Sequence, residues 1–379
     1  MKKIIFADFM EFDDPCNKLG NFHYAKIFSE NGYEVLWMSC LYNKLLYIKH
    51  PKVYRKRIML SKVNKNELDK NIFGFAVKSR RLYGKYPFCN NPNIVLHNEK
   101  YIDKNIKSNL DKIGFFNVDI LWISNPKQFW LINVVNYKRL IVRIPDDFSQ
   151  FGVFPKGIEL IEKALIEKAD LVFVTAKNLI NNVEKYGKKA YLLPNGCEIN
   201  HFLNCNSLNP FNEFNKKRLI YVGAIGKWFD LDLIKYLANK NKDVDICIIG
   251  KPQIDISCLE KYDNVKILGA KPYSEIPAYI KNSDIAIIPF INNEFTDRIN
   301  PIKLFEYFAC GIPVVTSNML EVKLMDSPAY VAKDKYEFSN IVRHILKNNI
   351  RETERYIDFA KNNSWNARFE YINKVMKSL

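Results

Sequence analysis

Lys303 and Glu306 stand three residues apart in the stretch NPIKLFEYFACGIPVVT, residues 300–316. On a helix that spacing puts both side chains on one face. A cation in a first helical turn opposes the helix dipole. It makes sense where an anion is to bind on the free backbone N–H groups of that turn, as a phosphate does. A carboxylate one turn further in could accept both hydroxyls of a ribose. The plain alternative is a surface ion pair worth roughly 0.2–0.5 kcal/mol. Asn300 is expected to cap the helix, with Pro301 at the first helical position, where a missing N–H costs nothing. Ile302 and Lys303 complete the turn offered to the anion. Gly311 closes the helix, and the β-branched run IPVVTS reads as a fully buried parallel strand.

Other groups gather where strands give way to helices. GAIGKWFD places Gly223, Gly226 and Lys227 in one such turn, and GAKPYSE places Tyr273 in another. In VRIPDDF, Asp146 and Asp147 follow a strand that breaks at Pro145. Adjacent residues on an extended chain point opposite ways, so one of the two is expected to face a substrate. A turn or helix-cap aspartate is the alternative reading. FDDPCNKLGNFHY brings Asp13, Asp14, Asn17, Gly20 and His23 to the first strand–helix junction. A histidine on a helix more often packs in a core than it catalyses. DVD and DLD offer paired carboxylates, but one leads into a buried strand and the other opens a helix. The eight cysteines are scattered without zinc spacing, so no metal is expected and free thiols are.

Short apolar strands alternate with amphipathic helices along the whole chain of 379 residues, a length sufficient for two domains. KIIFADF, EVLWMS, DILWIS, RLIVRIP, DLVFVTA and AYLLPNG are strands of a first half, with helices near 18–31, 126–136, 156–168 and 177–187. RLIYVGA, DICIIG, VKILGA, DIAIIPF and IPVVTS restart the pattern after a polar, Asn-rich connector. Near-continuous apolar strands between helices imply parallel sheets covered on both faces. The expected architecture is therefore α/β, with two doubly wound domains facing a cleft and ligands at the carboxyl ends of the strands.

GAIGKWFD, PNGCEINHF and NPIKLFEYFACGIPVV, in that order, resemble the GT-B glycosyltransferases, nearest to the teichuronic-acid-type enzymes and the xanthan glucuronosyltransferase group. The resemblance implies an acceptor-binding Rossmann-like domain over 1–198 and a nucleotide-sugar domain over 199–363. A C-terminal helix over 364–379 would pack back on the first domain. It implies further that Lys303 meets the diphosphate or donor sugar, that Glu306 holds the ribose, and that Asp146 is the catalytic base. Gly223, Gly226, Lys227, Tyr273, Asn300, Pro301 and Ile302 fall on the donor side. Asn17, Gly20, His23 and Asp147 fall on the acceptor side. The wider retaining group carries a glutamate eight residues before the ribose-binding one; this chain has Arg298 there, beside Asp297. An inverting, metal-independent transfer from a UDP-sugar, with no cofactor beyond the donor itself, is the resulting expectation.

The net charge of +16 is uneven: residues 41–98 hold thirteen Lys and Arg against Glu67 and Asp69. Aromatic residues are interleaved, which suits an anionic membrane surface. The expected partners are a nucleotide-sugar, a lipid-linked saccharide and such a surface, reached through 41–98, with no nucleic acid. The expected location is the cytoplasmic face of the plasma membrane, since the N-terminus reads as a strand and no run approaches the ~18 apolar residues of a membrane span. The rival classes are a nucleotide-sugar epimerase of the same fold, which needs no membrane patch, and a basic nucleic-acid-binding protein. The latter explains the charge but not Lys303 and Glu306.

Overall fold

The computed structural model describes residues 1–14, 18–85, 88–149, 154–155, 157–205, 208–211 and 216–378. The chain forms two compact units, Met1–Leu193 and Pro194–Leu379.

The first unit is built on eight strands: β1 (Lys2–Ala7), β2 (Tyr33–Met38), β3 (Asn66–Asp69), β4 (Ile72–Phe75), β5 (Asn117–Ile123), β6 (Asn136–Ile144), β7 (Leu171–Val174) and β8 (Ala190–Leu192). They lie in the order β3-β4-β2-β1-β5-β6-β7-β8. Every neighbouring pair is parallel except β3 and β4. Ile4, Ile5, Phe6 and Ala7 are all buried, because helices cover both faces of this central strand. The β3–β4 pair falls in the basic segment and was not anticipated. It is a hairpin turned at Asn71, whose φ of 55° suits asparagine better than most residues. Two expected helices are shorter and broken. Residues 126–136 form a single 3₁₀ turn, Pro126–Gln128, and one helical turn, Leu131–Val134. Residues 177–187 divide in the same way into Lys177–Leu179 and Ile180–Glu184.

The second unit holds six parallel strands: β9 (Lys217–Val222), β10 (Val244–Ile249), β11 (Val265–Gly269), β12 (Ile285–Ile288), β13 (Val314–Thr316) and β14 (Tyr330–Val331). Their order is β11-β10-β9-β12-β13-β14. The order reverses beside β9, the kind of switch point at which doubly wound sheets bind ligands. Pro194–Glu198 goes with this unit. Gly196 lies so close to the Asn363–Trp365 backbone that a Cβ would sit 2.7 Å from the Asn363 carbonyl oxygen. The helix Trp365–Lys377 starts from that contact: Ser364 caps it, and the Trp365 N–H donates to the Cys197 carbonyl.

The basic segment is only partly a surface. Tyr42, Phe75 and Tyr83 are buried in the first unit's core. Arg57 is buried too, its guanidinium 2.7 Å from Glu11, which also accepts from the Ser39 hydroxyl at 2.6 Å. Lys56 pairs with Asp13. What remains outside is a helical pair, Leu45–Lys49 and Pro51–Leu60. It leaves Leu45, Tyr47, Ile48 and Met59 each about half or more exposed, among the exposed cations Lys44, Lys49, Lys52, Arg55 and Lys62.

Candidate functional site

The helix Ile302–Ala309 forms because Leu304, Phe305, Tyr307 and Phe308 share a buried face, while Ile302, Lys303 and Glu306 make the less buried stripe. Gly311, at φ 70°, ends it as expected. The helix start differs from expectation. Pro301, in extended conformation, holds the cap position, and no side chain caps this end. Asn300 is drawn away instead: its side-chain oxygen accepts from the Asn195 N–H at 2.9 Å, and its carbonyl accepts from the Asn195 amide at 2.7 Å. The first-turn N–H groups are therefore without a side-chain cap, and Asn195 fixes the backbone that leads into them.

Among the described residues, the side chains of Lys303 and Glu306 form no ion pair, with each other or with any neighbour. The surface-pair reading fails on that point. Lys303 leans over the rings of Phe290, at 4.9 Å, and Tyr221, at 5.4 Å. Burial lowers its pKa to about 8, against the pull of Glu306. Burial likewise raises Glu306 to about 7, opposed by Lys303. Burial outweighs the attraction between the two groups, an environment that suits a charged or hydrogen-bonding partner.

Gly223 ends β9 at φ 147°, and a Cβ there would lie 3.0 Å from the Lys303 side chain. Only glycine allows that approach. Gly250 ends β10 at φ 153°, where a Cβ would fall on the Gly223 carbonyl. Tyr307, one residue past Glu306, accepts the Val222 N–H at 2.8 Å and pins the same strand end. A Cβ on Gly226 would run first into the Trp228 ring, at 2.5 Å, a side chain able to move. Lys227 is exposed. Tyr273 stacks on His201 at 4.2 Å, and the Glu306 charge is among the causes that raise its pKa, so it lies near the carboxylate. Arg298 sits in the 3₁₀ turn Thr296–Arg298, and Asp297 accepts from the Leu320 N–H at 3.2 Å. Gly250, Asn195 and Tyr307 had no role assigned from sequence.

In the first unit the carboxyl ends of β1, β5 and β6 lie side by side. Asp147 is a turn residue, its carboxylate accepting from the Ser149 N–H at 3.1 Å and the Ser149 hydroxyl at 2.6 Å. Asp146 is partly exposed, and burial raises its pKa to about 7 despite nearby Arg143, with Asp147 adding to the rise. A carboxylate poised near neutral pH suits a general base. Asp8 at the end of β1 accepts from the Phe9 N–H and the Asn21 side chain, and burial raises its pKa while Arg143 lowers it. The buried Arg143 thus stands between two acids, a cluster that no motif revealed. His23 is buried in the helix Gly20–Glu30, the packed alternative, and Gly20 opens that helix. Asn17 lies outside the described residues. Among the described residues no group of three or more His, Cys, Asp or Glu could hold a metal ion.

Residues 216–348 match the family described as "Glycosyl transferases group 1". The putative teichuronic acid biosynthesis glycosyltransferase TuaH of Bacillus subtilis (strain 168) is 28% identical over 237 residues, covering 58% of this chain and 59% of the relative. The match thus spans under two thirds of that relative's length. Sucrose-phosphate synthase from Thermosynechococcus elongatus superposes with a TM-score of 0.70 at 14% identity, over 100% of this chain and 99% of the other. HepE of Anabaena, in complex with UDP and glucose, superposes with a TM-score of 0.67 at 14% identity, over 100% of both chains. The fold is GT-B, as the sequence motifs suggest, and the sequence likeness is to a teichuronic-acid glycosyltransferase.

Proposed function

We propose that the protein is a glycosyltransferase that moves a sugar from a nucleotide donor, a UDP-sugar, to a lipid-linked saccharide acceptor in the making of a cell-surface polysaccharide. The observation that carries this reading is the uncapped turn at Ile302–Lys303 with Glu306 behind it, both charges without an ion pair among the described residues. Lys303 and the turn N–H groups take the diphosphate, and Glu306 accepts the ribose hydroxyls. UDP as the nucleotide follows from the likeness to HepE, whose structure holds it.

Asp146 takes the proton from the acceptor hydroxyl as that oxygen forms its bond to the anomeric carbon. The bond from that carbon to the diphosphate breaks, and UDP leaves carrying the electron pair. Lys303 and the helix dipole meet the charge that develops on the leaving group, a metal-independent arrangement. A single displacement of this kind inverts the anomeric centre. Arg298, in place of the glutamate of retaining relatives, favours it. An epimerase of the same fold would need neither an acceptor nor a membrane contact, so the exposed apolar and basic residues of 45–60 favour a transferase over it.

The helical pair at 45–60 would rest on the cytoplasmic face of the plasma membrane, its apolar side chains among the acyl chains and its lysines at anionic headgroups. No helix among the described residues is long and apolar enough to cross a membrane. Nucleic acid is not an expected partner. A thermal-shift screen against nucleotides and nucleotide-sugars tests the central reading, because native-state ligands raise the melting temperature. A rise with UDP and UDP-sugars supports it, and no response to any nucleotide would end it.

A further inference from the structure

Lys127 lies just past the end of β5, in the 3₁₀ turn that Asn125 caps by accepting the Lys127 N–H at 3.0 Å. The residue is half-buried, its ammonium 5.0 Å from the Phe154 ring centre and 5.9 Å from that of Tyr83. Phe154 belongs to a cluster with Phe9 at 5.6 Å and Phe148 at 5.4 Å, and those two stand 5.1 Å apart. Phe9 follows Asp8 at the end of β1, and Phe148 lies two residues past Asp146 at the end of β6. The lysine and the aromatic group thus occupy the strand-end rim that carries the candidate base.

Among the described residues no carboxylate, carbonyl or hydroxyl partners this ammonium. Burial lowers its pKa, and the only opposing influence is Cys40, a thiol that burial keeps protonated. The two rings compensate only part of the water that a half-buried ammonium gives up, since no ion pair or hydrogen bond replaces it among the described residues. Aromatic faces beside a cation suit a ligand that joins an apolar or sugar ring surface to an anion. A lysine, as a compact point charge, is a common phosphate binder.

We infer that Lys127, with Phe154 and Tyr83 beside it, is the subsite that receives a phosphate group of the acceptor, next to the sugar that Asp146 deprotonates. The inference rests on the glycosyltransferase reading and names the acceptor's chemical class: a phosphate-bearing saccharide. That phosphate can come from a lipid phosphate linker or from a phosphate within a glycan.

The test uses the full chain with its lysines isotopically dimethylated, the Lys127 resonance being assigned by its loss in Lys127→Met. Inorganic phosphate, glucose 1-phosphate and octyl phosphate are titrated separately, with UDP binding measured in parallel. The expected result is a Lys127 pKa that starts below the ordinary lysine value and rises by about one unit with glucose 1-phosphate or octyl phosphate, whichever stronger response naming the source. Lys127→Met should weaken that binding about tenfold, leave UDP affinity unchanged, and keep or raise the melting temperature. Lys127→Arg should retain part of the binding. No response of Lys127 to any of the three probes would overturn the inference. So would a clear drop in melting temperature in Lys127→Met, which marks a structural lysine. Since UDP affinity is read separately, failure here with UDP binding intact leaves the donor assignment standing.

Discussion

Glu306 and Lys303 are costly to the fold in opposite pH ranges, and that makes their role measurable. Glu306 in the folded protein titrates near 7, above its ordinary 4.5, because of burial. The unfolded chain therefore gives up this proton first. Folding carries the cost of a buried carboxylate above pH 7 and sheds it as the pH falls from 7 to 4.5. Glu306→Gln should accordingly raise the melting temperature at pH 8 by a few degrees and change little at pH 4.5, while weakening UDP binding by about 1–3 kcal/mol. A loss of stability at pH 8 would mean that the carboxylate holds the fold together. For Lys303 the sign reverses, since burial lowers it to about 8 and its charge is lost above that value. UDP affinity should be greatest between about 7 and 8 and fall on both sides, as titration calorimetry across pH would show. At the acceptor side, Asp146→Asn should remove about two to four orders of magnitude from turnover with donor affinity kept. Wild-type turnover should rise with pH through about 7 as Asp146 loses its proton. Asp147→Asn keeps the acceptor atom that the Ser149 turn uses and should stay active; the reverse pattern would move the base to Asp147. Lys303 and Glu306 could be picked out from sequence because a cation opposing a helix dipole is a local oddity. Arg143 and Lys127 could not, since what sets each apart is the set of groups around it, brought together from separate strands.

At the level of elements, apolar runs placed eleven of the fourteen strands. Of the remaining three, β3 reads NELD with a single apolar residue, β4 is interrupted by Gly74, and β14 is two residues long, so none stands out as an apolar run. Missing the β3–β4 hairpin also misread its neighbourhood, because residues that looked like a continuous basic face are partly core. Arg57→Glu makes the difference testable. It sets a second carboxylate against Glu11 in a buried place and should cost about 3–5 kcal/mol, visible as a large fall in the denaturation midpoint. Exchanging Ile48 and Met59 for serine touches only exposed side chains and should leave the midpoint in place. The same pair of changes should cut binding to anionic vesicles about tenfold or more, since each side chain buried in lipid contributes up to about 1.5–3 kcal/mol. Vesicle binding unchanged by this double substitution would remove the helical pair as the membrane contact.

Over the whole molecule, the proposed donor and acceptor groups lie on different units, which should answer a ligand differently. With UDP at about 100 times its Kd, amides that exchange only by global opening of the second unit should gain about 2.7 kcal/mol of protection. The strands β9, β10 and β12 and the helix Ile302–Ala309 are where the gain should appear. First protection in β1–β8 would place the nucleotide in the other unit. The repeat of two doubly wound sheets was readable from periodicity alone, because strands buried on both faces have little compositional freedom. Where one unit ends and the next begins was not, since Pro194–Glu198 is assigned by what it touches. Asn195 reaches Asn300, and Cys197 meets Trp365, more than a hundred residues away.

Gly250 and Gly223 have a genetic consequence. The carbonyl of Gly223 lies where a side chain on Gly250 would begin, and Gly223 in turn lies against Lys303. A screen for loss of nucleotide binding should therefore recover alanine at 250, a position 53 residues before the lysine it disturbs. Because the obstruction is backbone, no enlargement elsewhere restores the room. Suppressors of such an allele should be rare, and revertants should restore glycine itself.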